Sequence, residues 1–116
     1  MKTVEIEQGS RIEYFSPELL FLGSSGQPYR GKVYIRFISS GKTFNLLDFK
    51  KFITSLRHKT ILSENIAKYI YDEIKDHVGD NLGVIVDLTA RGGIQQTIEY
   101  GKEFEPRRQR NLFFQM

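Results

Sequence analysis

The sequence predicts an α+β fold in which a four-stranded antiparallel sheet carries two helices on one face. Segments with strand-like alternation occur as two pairs, one before residue 40 and one after residue 82. Between them the spacing of apolar residues changes from two to three or four, as in amphipathic helices. The order strand, strand, helix, helix, strand, strand makes a two-layer unit. Such a sheet has one bare face and two open edges, so we expect a homo-oligomer that joins sheets edge to edge into a barrel.

The first hairpin is the most informative part of the chain. Residues 31–39 alternate as in a half-buried strand. Its apolar face carries Val33, Ile35 and Phe37. The opposite face carries Tyr34 and Arg36. A turn rich in glycine, serine and proline precedes it, at residues 23–28, and its pairing strand is predicted at residues 18–22. Before that, residues 3–7 predict a short edge strand or a loose arm, and Pro17 leads us to interpret residues 1–17 as an irregular lead-in arm.

The middle of the chain predicts two amphipathic helices. Asn45 is a good N-cap for the first, with Asp48 three residues later, and the helix is about three turns long. The second begins at Ser63, where Glu64 in the first turn is favoured by the helix dipole, and it ends at Gly79. The apolar stripes of the two helices are Leu46, Phe49, Ile53 and Leu56, and then Ile66, Ala67, Ile70 and Ile74.

The last third of the chain predicts a second hairpin. Residues 83–89 and 95–104 alternate on either side of the turn A-R-G-G. Pro106 ends the sheet and opens a basic and aromatic tail at residues 105–116. We interpret residues 1–116 as one domain, because a chain of this length can form one core but not two.

Composition and charge exclude several classes of site. The chain has no cysteine, which excludes disulfides, thiolate metal sites and cysteine nucleophiles, and its two histidines lack metal-ligand spacing. We therefore expect no metal. No apolar run is long enough to span a bilayer and no leader is evident, so we expect no membrane association and a cytoplasmic protein. Residues 30–59 carry a local charge of +7, which is typical either of an anionic partner such as tRNA or of a solvated face.

Several short motifs, in order and at matching spacing, resemble the QueF family of the tunnelling fold. They cover about residues 18–101 and read G-Q-P at 26–28 followed by V-Y-I-R-F, S-x-R at 55–57, I-L-S-E at 61–64, and T-A-R-G-G-I at 89–94. The family versions read C-P-V-T-G-Q-P-D, Y-I-R-Y, S-F-R-N, I-F-H-E and T-P-R-G-G-I. Its enzymes reduce the nitrile of 7-cyano-7-deazaguanine with NADPH, and an archaeal branch adds an amidino group to the same nitrile on tRNA, giving archaeosine.

The resemblance also implies that the family's catalytic residues are missing. Its nucleophilic cysteine falls on Leu22 and its proton-donating aspartate on Tyr29. A leucine cannot add to a nitrile, and a tyrosine has no thioimide to protonate. Ser24 and Ser25 are hydroxyls nearby, but the sequence offers no base to activate either one. The segment associated with NADPH, E-S-K-S-L-K, reads N-L-L-D-F-K at residues 45–50, so we expect no NADPH and no nitrile reduction by the family mechanism.

The part of the family site that grips the base is retained. Glu64 matches the carboxylate that tunnelling-fold proteins use to hold a purine or pterin, since one carboxylate accepts both adjacent N–H groups of a guanine-like edge. Glu64 could alternatively serve only the helix dipole. The family histidine beside it has become Ser63. The predicted substrate-binding set is Glu64, Ser63, Ser25, Gln27, Arg91 and Gly92, although R-G-G also suits a plain hairpin turn.

Three functions remain open at this point. The first is a protein that binds 7-cyano-7-deazaguanine or a related purine without the cysteine chemistry. The second is an archaeosine synthase with a different nucleophile, in which the tail residues Arg107, Arg108 and Arg110 contact tRNA phosphates. Those arginines could equally belong to a solvated chain end. The third is a non-catalytic structural or interaction subunit.

Overall fold

The computed structural model describes residues 1–89 and 92–104, and it confirms the predicted α+β architecture. Its main sheet is antiparallel with the strand order β2-β3-β5-β6. A separate two-stranded sheet pairs β1 with β4. The strands are β1 (Thr3–Glu5), β2 (Arg11–Leu22), β3 (Pro28–Ile38), β4 (Lys42–Phe44), β5 (Leu82–Thr89) and β6 (Gln95–Gly101), and the helices are α1 (Leu46–Ser55) and α2 (Ile66–Val78).

The prediction of an irregular lead-in was wrong for residues 11–17, because β2 already begins at Arg11. Pro17 does not end the strand. The register between β2 and β3 shifts between Ser16 and Leu19, so Pro17 lies in a bulge of a strand at the edge of the main sheet. Proline has no N–H to donate and is accommodated at such bulges. The Glu18 N–H donates to the Ser16 hydroxyl at 3.3 Å inside the bulge.

The short strand β4 was missed from the sequence. It begins directly after Gly41, and it pairs with β1 in the register Thr3 with Phe44. The prediction of a short edge strand near residues 3–7 is thus confirmed, but its partner lies about forty residues away. The Thr3 hydroxyl is 2.7 Å from the His77 Nδ1 atom, which joins β1 to α2. Partial burial lowers the pKa of His77.

The two helices begin and end close to where the sequence predicted. The Asn45 side chain accepts from the Leu47 and Asp48 N–H groups, which confirms it as the N-cap of α1. A 3₁₀ turn at Ser63–Asn65 precedes α2, and Gly79 ends α2 with a φ of +94°. This positive φ is a conformation that glycine adopts without steric cost.

The hydrophobic core lies between the helices and one face of the main sheet. The predicted alternation of β3 is confirmed, since Val33, Ile35 and Phe37 are at most 1% exposed. Their neighbours in the core come from β2, β5 and both helices, and include Leu19, Phe21, Ile53, Ile66, Ile70, Ile74, Val84 and Val86. On the opposite face Tyr34 is also buried, and its ring lies 5.0 Å from that of Phe15.

None of the helices within residues 1–89 and 92–104 is long and apolar enough to cross a bilayer.

The second hairpin is shorter than predicted. Its outer strand β6 ends at Gly101 rather than at Phe104, because Gly101 adopts a φ of +97° and turns the chain away. The Lys102 N–H still donates to the Leu82 carbonyl at 2.8 Å. The predicted tail at residues 105–116 lies outside the described residues.

Candidate functional site

Four strand ends and one loop meet at the same end of the main sheet. There Leu22 at the end of β2 pairs with Pro28 at the start of β3, and Thr89 at the end of β5 pairs with Gln95 at the start of β6. The loop at residues 59–61 runs beside Leu22, whose N–H donates to the Lys59 carbonyl at 3.0 Å and whose carbonyl accepts from the Ile61 N–H at 2.8 Å. The turn at residues 23–27 and the 3₁₀ turn before α2 are therefore neighbours in space.

Glu64 is a charged side chain at this end of the sheet, and it accepts hydrogen bonds from two other side chains. Ser63, in the same 3₁₀ turn, is buried, whereas Glu64 is exposed. The Ser63 hydroxyl donates to Glu64 Oε1 at 3.1 Å. Hydrogen bonds from the backbone, from Ser63 and from Gln96 lower the pKa of Glu64. The carboxylate is therefore ionised and can only accept hydrogen bonds.

Gln96 contacts Glu64, and the sequence did not reveal this contact. Its Nε2 atom donates to Glu64 Oε2 at 3.2 Å, across 32 residues of chain. Gln96 pairs with the buried Leu88 in β5, so its side chain lies on the face that carries the core. Gln95, the adjacent residue of β6, lies on the opposite face and is exposed. Since strand alternation alone does not show which of two successive glutamines faces Glu64, the contact could not be predicted.

The turn at residues 23–27 holds a chain of three polar side chains. The Ser25 hydroxyl donates to Gln27 Oε1, and Gln27 Nε2 donates to the Tyr29 hydroxyl at 3.3 Å. The Tyr29 ring stacks on Phe21, with ring centroids 5.4 Å apart and an angle of 14° between the planes. The ring also passes close to Gly23, where an added Cβ would overlap its edge. This packing fixes the phenol beside the turn, where it can donate a hydrogen bond.

The chemistry available at Leu22 and Ser25 is limited by their surroundings. Leu22 is half-buried and both of its backbone polar groups are bonded to the loop at residues 59–61. Ser25 is exposed and donates to an amide, which cannot remove its proton. Neither residue has the base that an activated nucleophile needs.

Some predicted site residues lie outside the structural description. Arg91 is not among the described residues, and neither are Arg107, Arg108 and Arg110. The neighbouring Gly92 is described, and it is exposed with a φ of +88°. The roles of the four arginines, including contact with tRNA, stay predictions.

The segment at residues 45–50 forms the beginning of α1. Two of its polar side chains already form hydrogen bonds. Asn45 caps the helix, and Asp48 Oδ2 accepts from the Lys2 N–H at 2.8 Å. Leu46 and Leu47 are each about 60% exposed. Lys50 is the cationic member of this segment. Among the described residues, no group of three or more histidine or carboxylate side chains lies close enough to hold a metal ion.

Comparison with known proteins decides the family. A profile described as QueF-like protein matches residues 28–107, which is well over half of the chain. The chain belongs to the QueF-like family. This confirms the resemblance inferred from the short motifs.

Curated relatives of this QueF-like protein carry a common name. A protein of Thermoanaerobacter pseudethanolicus, named NADPH-dependent 7-cyano-7-deazaguanine reductase, is 31% identical over 101 residues, which cover 84% of this chain and 76% of that protein. A protein of Thermotoga petrophila with the same name is 34% identical over 79 residues, 66% of this chain. That match spans 58% of the Thermotoga protein, so the chain corresponds to only part of this relative's length.

A solved structure confirms the tunnelling fold. It is the apo form of the archaeosine synthase QueF-Like, with a TM-score of 0.65 and 19% sequence identity. The match covers 88% of this chain and all of that one. At this identity the likeness concerns the fold alone.

Proposed function

We propose that this QueF-like protein binds 7-cyano-7-deazaguanine or a related purine through Glu64, without thioimide chemistry. The observation that carries the proposal is the Glu64 carboxylate, which is ionised, exposed and held by hydrogen bonds from the backbone, from Ser63 and from Gln96. Membership of the family whose curated relatives are 7-cyano-7-deazaguanine reductases supports the choice of base.

The geometry of the carboxylate suits a guanine-like edge. The ring N–H and the 2-amino group of such a base are adjacent donors that point in the same direction. Each carboxylate oxygen has two lone pairs, and the carboxylate accepts hydrogen bonds from Ser63 on Oε1, from Gln96 on Oε2 and from the backbone. Because the side chain is exposed, a base can approach the carboxylate from solvent and form a bidentate, charge-assisted pair with it.

The residues at the reacting positions argue against the reductase chemistry. Leu22 has no nucleophilic atom, and the Tyr29 phenol can donate a hydrogen bond to a bound base but has no covalent adduct to protonate. We propose that the chain uses no NADPH, because residues 45–50, which correspond to the segment associated with NADPH, form hydrogen bonds at the beginning of α1. Tyr29 then acts in binding, next to the turn that carries Ser25 and Gln27.

The exposure of Glu64 supports the proposal that a second copy completes the site. A hydrogen-bonded pair open to water is weak, because water competes for every donor and acceptor. Within the described residues, β2 and β6 are the edge strands of the main sheet. We expect native mass measurements to show a homo-oligomer, since pairing these edges would both satisfy their backbone groups and cover the exposed site. A monomer at micromolar concentration would contradict this expectation.

Calorimetric titration with 7-cyano-7-deazaguanine tests the function directly, with guanine and neopterin as comparisons. We expect Glu64→Ala to weaken binding at least about a hundred-fold, because two hydrogen bonds to a charged acceptor are lost. Glu64→Gln should bind as poorly, since its amide presents a donor to a ligand edge that also donates. Neither change should lower the melting temperature appreciably, because the side chain is exposed.

Glu73→Ala is the matched control for this experiment. Glu73 is an exposed glutamate of α2 that is not bonded to Ser63 or Gln96. Its replacement should leave the affinity unchanged. Wild-type protein that binds none of the three ligands, or Glu64→Ala that binds as well as wild type, would refute the proposed function.

A further inference from the structure

We propose that Gln96 is the positioning and selectivity residue of the base site, holding the Glu64 carboxylate through its amide nitrogen and accepting from a ligand's 2-amino group through its amide oxygen. The inference rests on the proposed function and adds a second recognition element to it. Ligands with a 2-amino group on a 6-oxo purine or 7-deazapurine ring are the chemical class that these two side chains would select.

The positioning role follows from two distances. Glu64 Oε1 lies 3.1 Å from the Ser63 hydroxyl and Glu64 Oε2 lies 3.2 Å from Gln96 Nε2. Ser63 belongs to the same 3₁₀ turn as Glu64, whereas Gln96 belongs to a strand of the main sheet. Gln96 therefore ties a flexible, exposed side chain to the most regular part of the fold. Fixing a side chain before the ligand arrives reduces the entropy that binding has to overcome.

The orientation of the Gln96 amide follows from the charge of its partner. An ionised carboxylate has only acceptors, so the amide must turn its NH₂ group toward Glu64. The lowered pKa of Glu64 supports the ionised form. Because the amide group is planar, its carbonyl oxygen then lies beside the nitrogen on the same side chain. The two side chains together bring three acceptor oxygens to the site, two on Glu64 and one on Gln96.

Three acceptors match the donors of one class of ligand. A guanine-like edge has three N–H bonds, one on the ring and two on the 2-amino group. The ring N–H and one amino hydrogen pair with Glu64, and the second amino hydrogen can reach the Gln96 carbonyl. A hypoxanthine-like ring keeps the ring N–H but has no amino hydrogens. It would leave two of the three acceptors without a partner, which lowers its affinity.

The chain contains a matched control for this proposal. Gln95 has the same side chain one residue earlier in β6, but it pairs with Thr89 on the other face of the sheet and is exposed. Gln95→Ala and Gln96→Ala therefore remove the same atoms from the same strand, and only the second removes a contact with Glu64. Any difference between the two variants reports on the contact rather than on strand propensity.

The first measurement needs no ligand. The Glu64 carboxyl is titrated by NMR in the wild type and in both alanine variants. We expect Gln96→Ala to raise the pKa of Glu64 toward that of an ordinary glutamate, since a hydrogen bond that favours the charged form is lost. Gln95→Ala should leave it unchanged. An unchanged pKa in Gln96→Ala would overturn the positioning role, whether or not the protein binds a base.

The second measurement compares 7-cyano-7-deazaguanine with its analogue lacking the 2-amino group. We expect Gln96→Ala to weaken binding of the first ligand about ten-fold, as for loss of one hydrogen bond, and to weaken binding of the second much less. Gln95→Ala should match wild type for both. An equal loss for both ligands would overturn the selectivity role while leaving the proposed function intact. Wild-type protein that binds neither ligand would overturn the selectivity role together with the proposed function.

Discussion

Gly31→Ala is expected to lower the free energy of unfolding by about 3 kcal/mol or more. A Cβ atom at this position would overlap the backbone oxygen of Asp87 in β5 and would lie 2.9 Å from the Leu88 Cδ2 atom. A side chain can rotate away from such a contact, but a backbone oxygen in the middle of a sheet cannot. The strands β3 and β5 would have to separate where Gly31 pairs with Leu88.

The crowding at Gly31 arises from its place in the sheet. Gly31 lies opposite Leu19, the residue at which the bulge in β2 ends. Bulges increase the local twist of a sheet, which brings neighbouring strands close together. Chemical denaturation of Gly31→Ala, followed by circular dichroism, measures the loss.

Gly26→Ala is the control for the Gly31 variant. Gly26 has a φ of +85°, but a Cβ there would meet no atom within 4 Å. Its replacement should cost about 1 kcal/mol, the strain of an L-residue at positive φ. If the Gly31 variant lost no more stability than the Gly26 variant, the close approach of β3 and β5 would not be the constraint on Gly31.

Phe44→Ala is expected to lower the free energy of unfolding by about 3–5 kcal/mol. Phe44 is 1% exposed, although it lies in a strand of only three residues. Its ring centroid is 4.8 Å from that of Phe49 in α1 and 4.9 Å from that of Tyr14 in β2. Removal of the ring leaves a cavity and also removes both aromatic contacts.

Leu47→Ala provides the comparison for Phe44→Ala. Leu47 is a large apolar residue three positions later, but it is 61% exposed, so its loss should change stability by less than about 0.5 kcal/mol. Thermal denaturation of the two variants compares the loss of a buried apolar side chain with the loss of an exposed one. A Phe44 variant as stable as the Leu47 variant would show that the contacts of Phe44 with Tyr14 and Phe49 do not join β4 to the core.

The sequence predicted best those features that depend on residues close together in the chain. Asn45 caps α1 as expected, because an N-cap needs only the two N–H groups that follow within three residues. Gly79 ends α2 for a similar local reason. The alternation of β3 also predicted correctly which side chains are buried in the core. The family resemblance followed from short motifs in the right order.

Two features that the sequence did not predict depend on residues far apart in the chain. The strand β4 has three residues and is stabilised by pairing with β1, so neither strand carries a strong signal of its own. Pro17 looked like an interruption, because its place in an edge bulge is visible only once β3 is beside it. In each case the deciding partner lies more than ten residues away.

For this protein the sequence by itself determined the fold class, the two helices, the two hairpins and the identity of Glu64 as the base-binding candidate. Only the tertiary structure decided that Gln96, and not Gln95, contacts that carboxylate, and that the turn before β3 lies at the same end of the sheet. The reason is physical. Helix caps and alternation arise from local backbone geometry, whereas a contact across 32 residues exists only after strands and helices have packed.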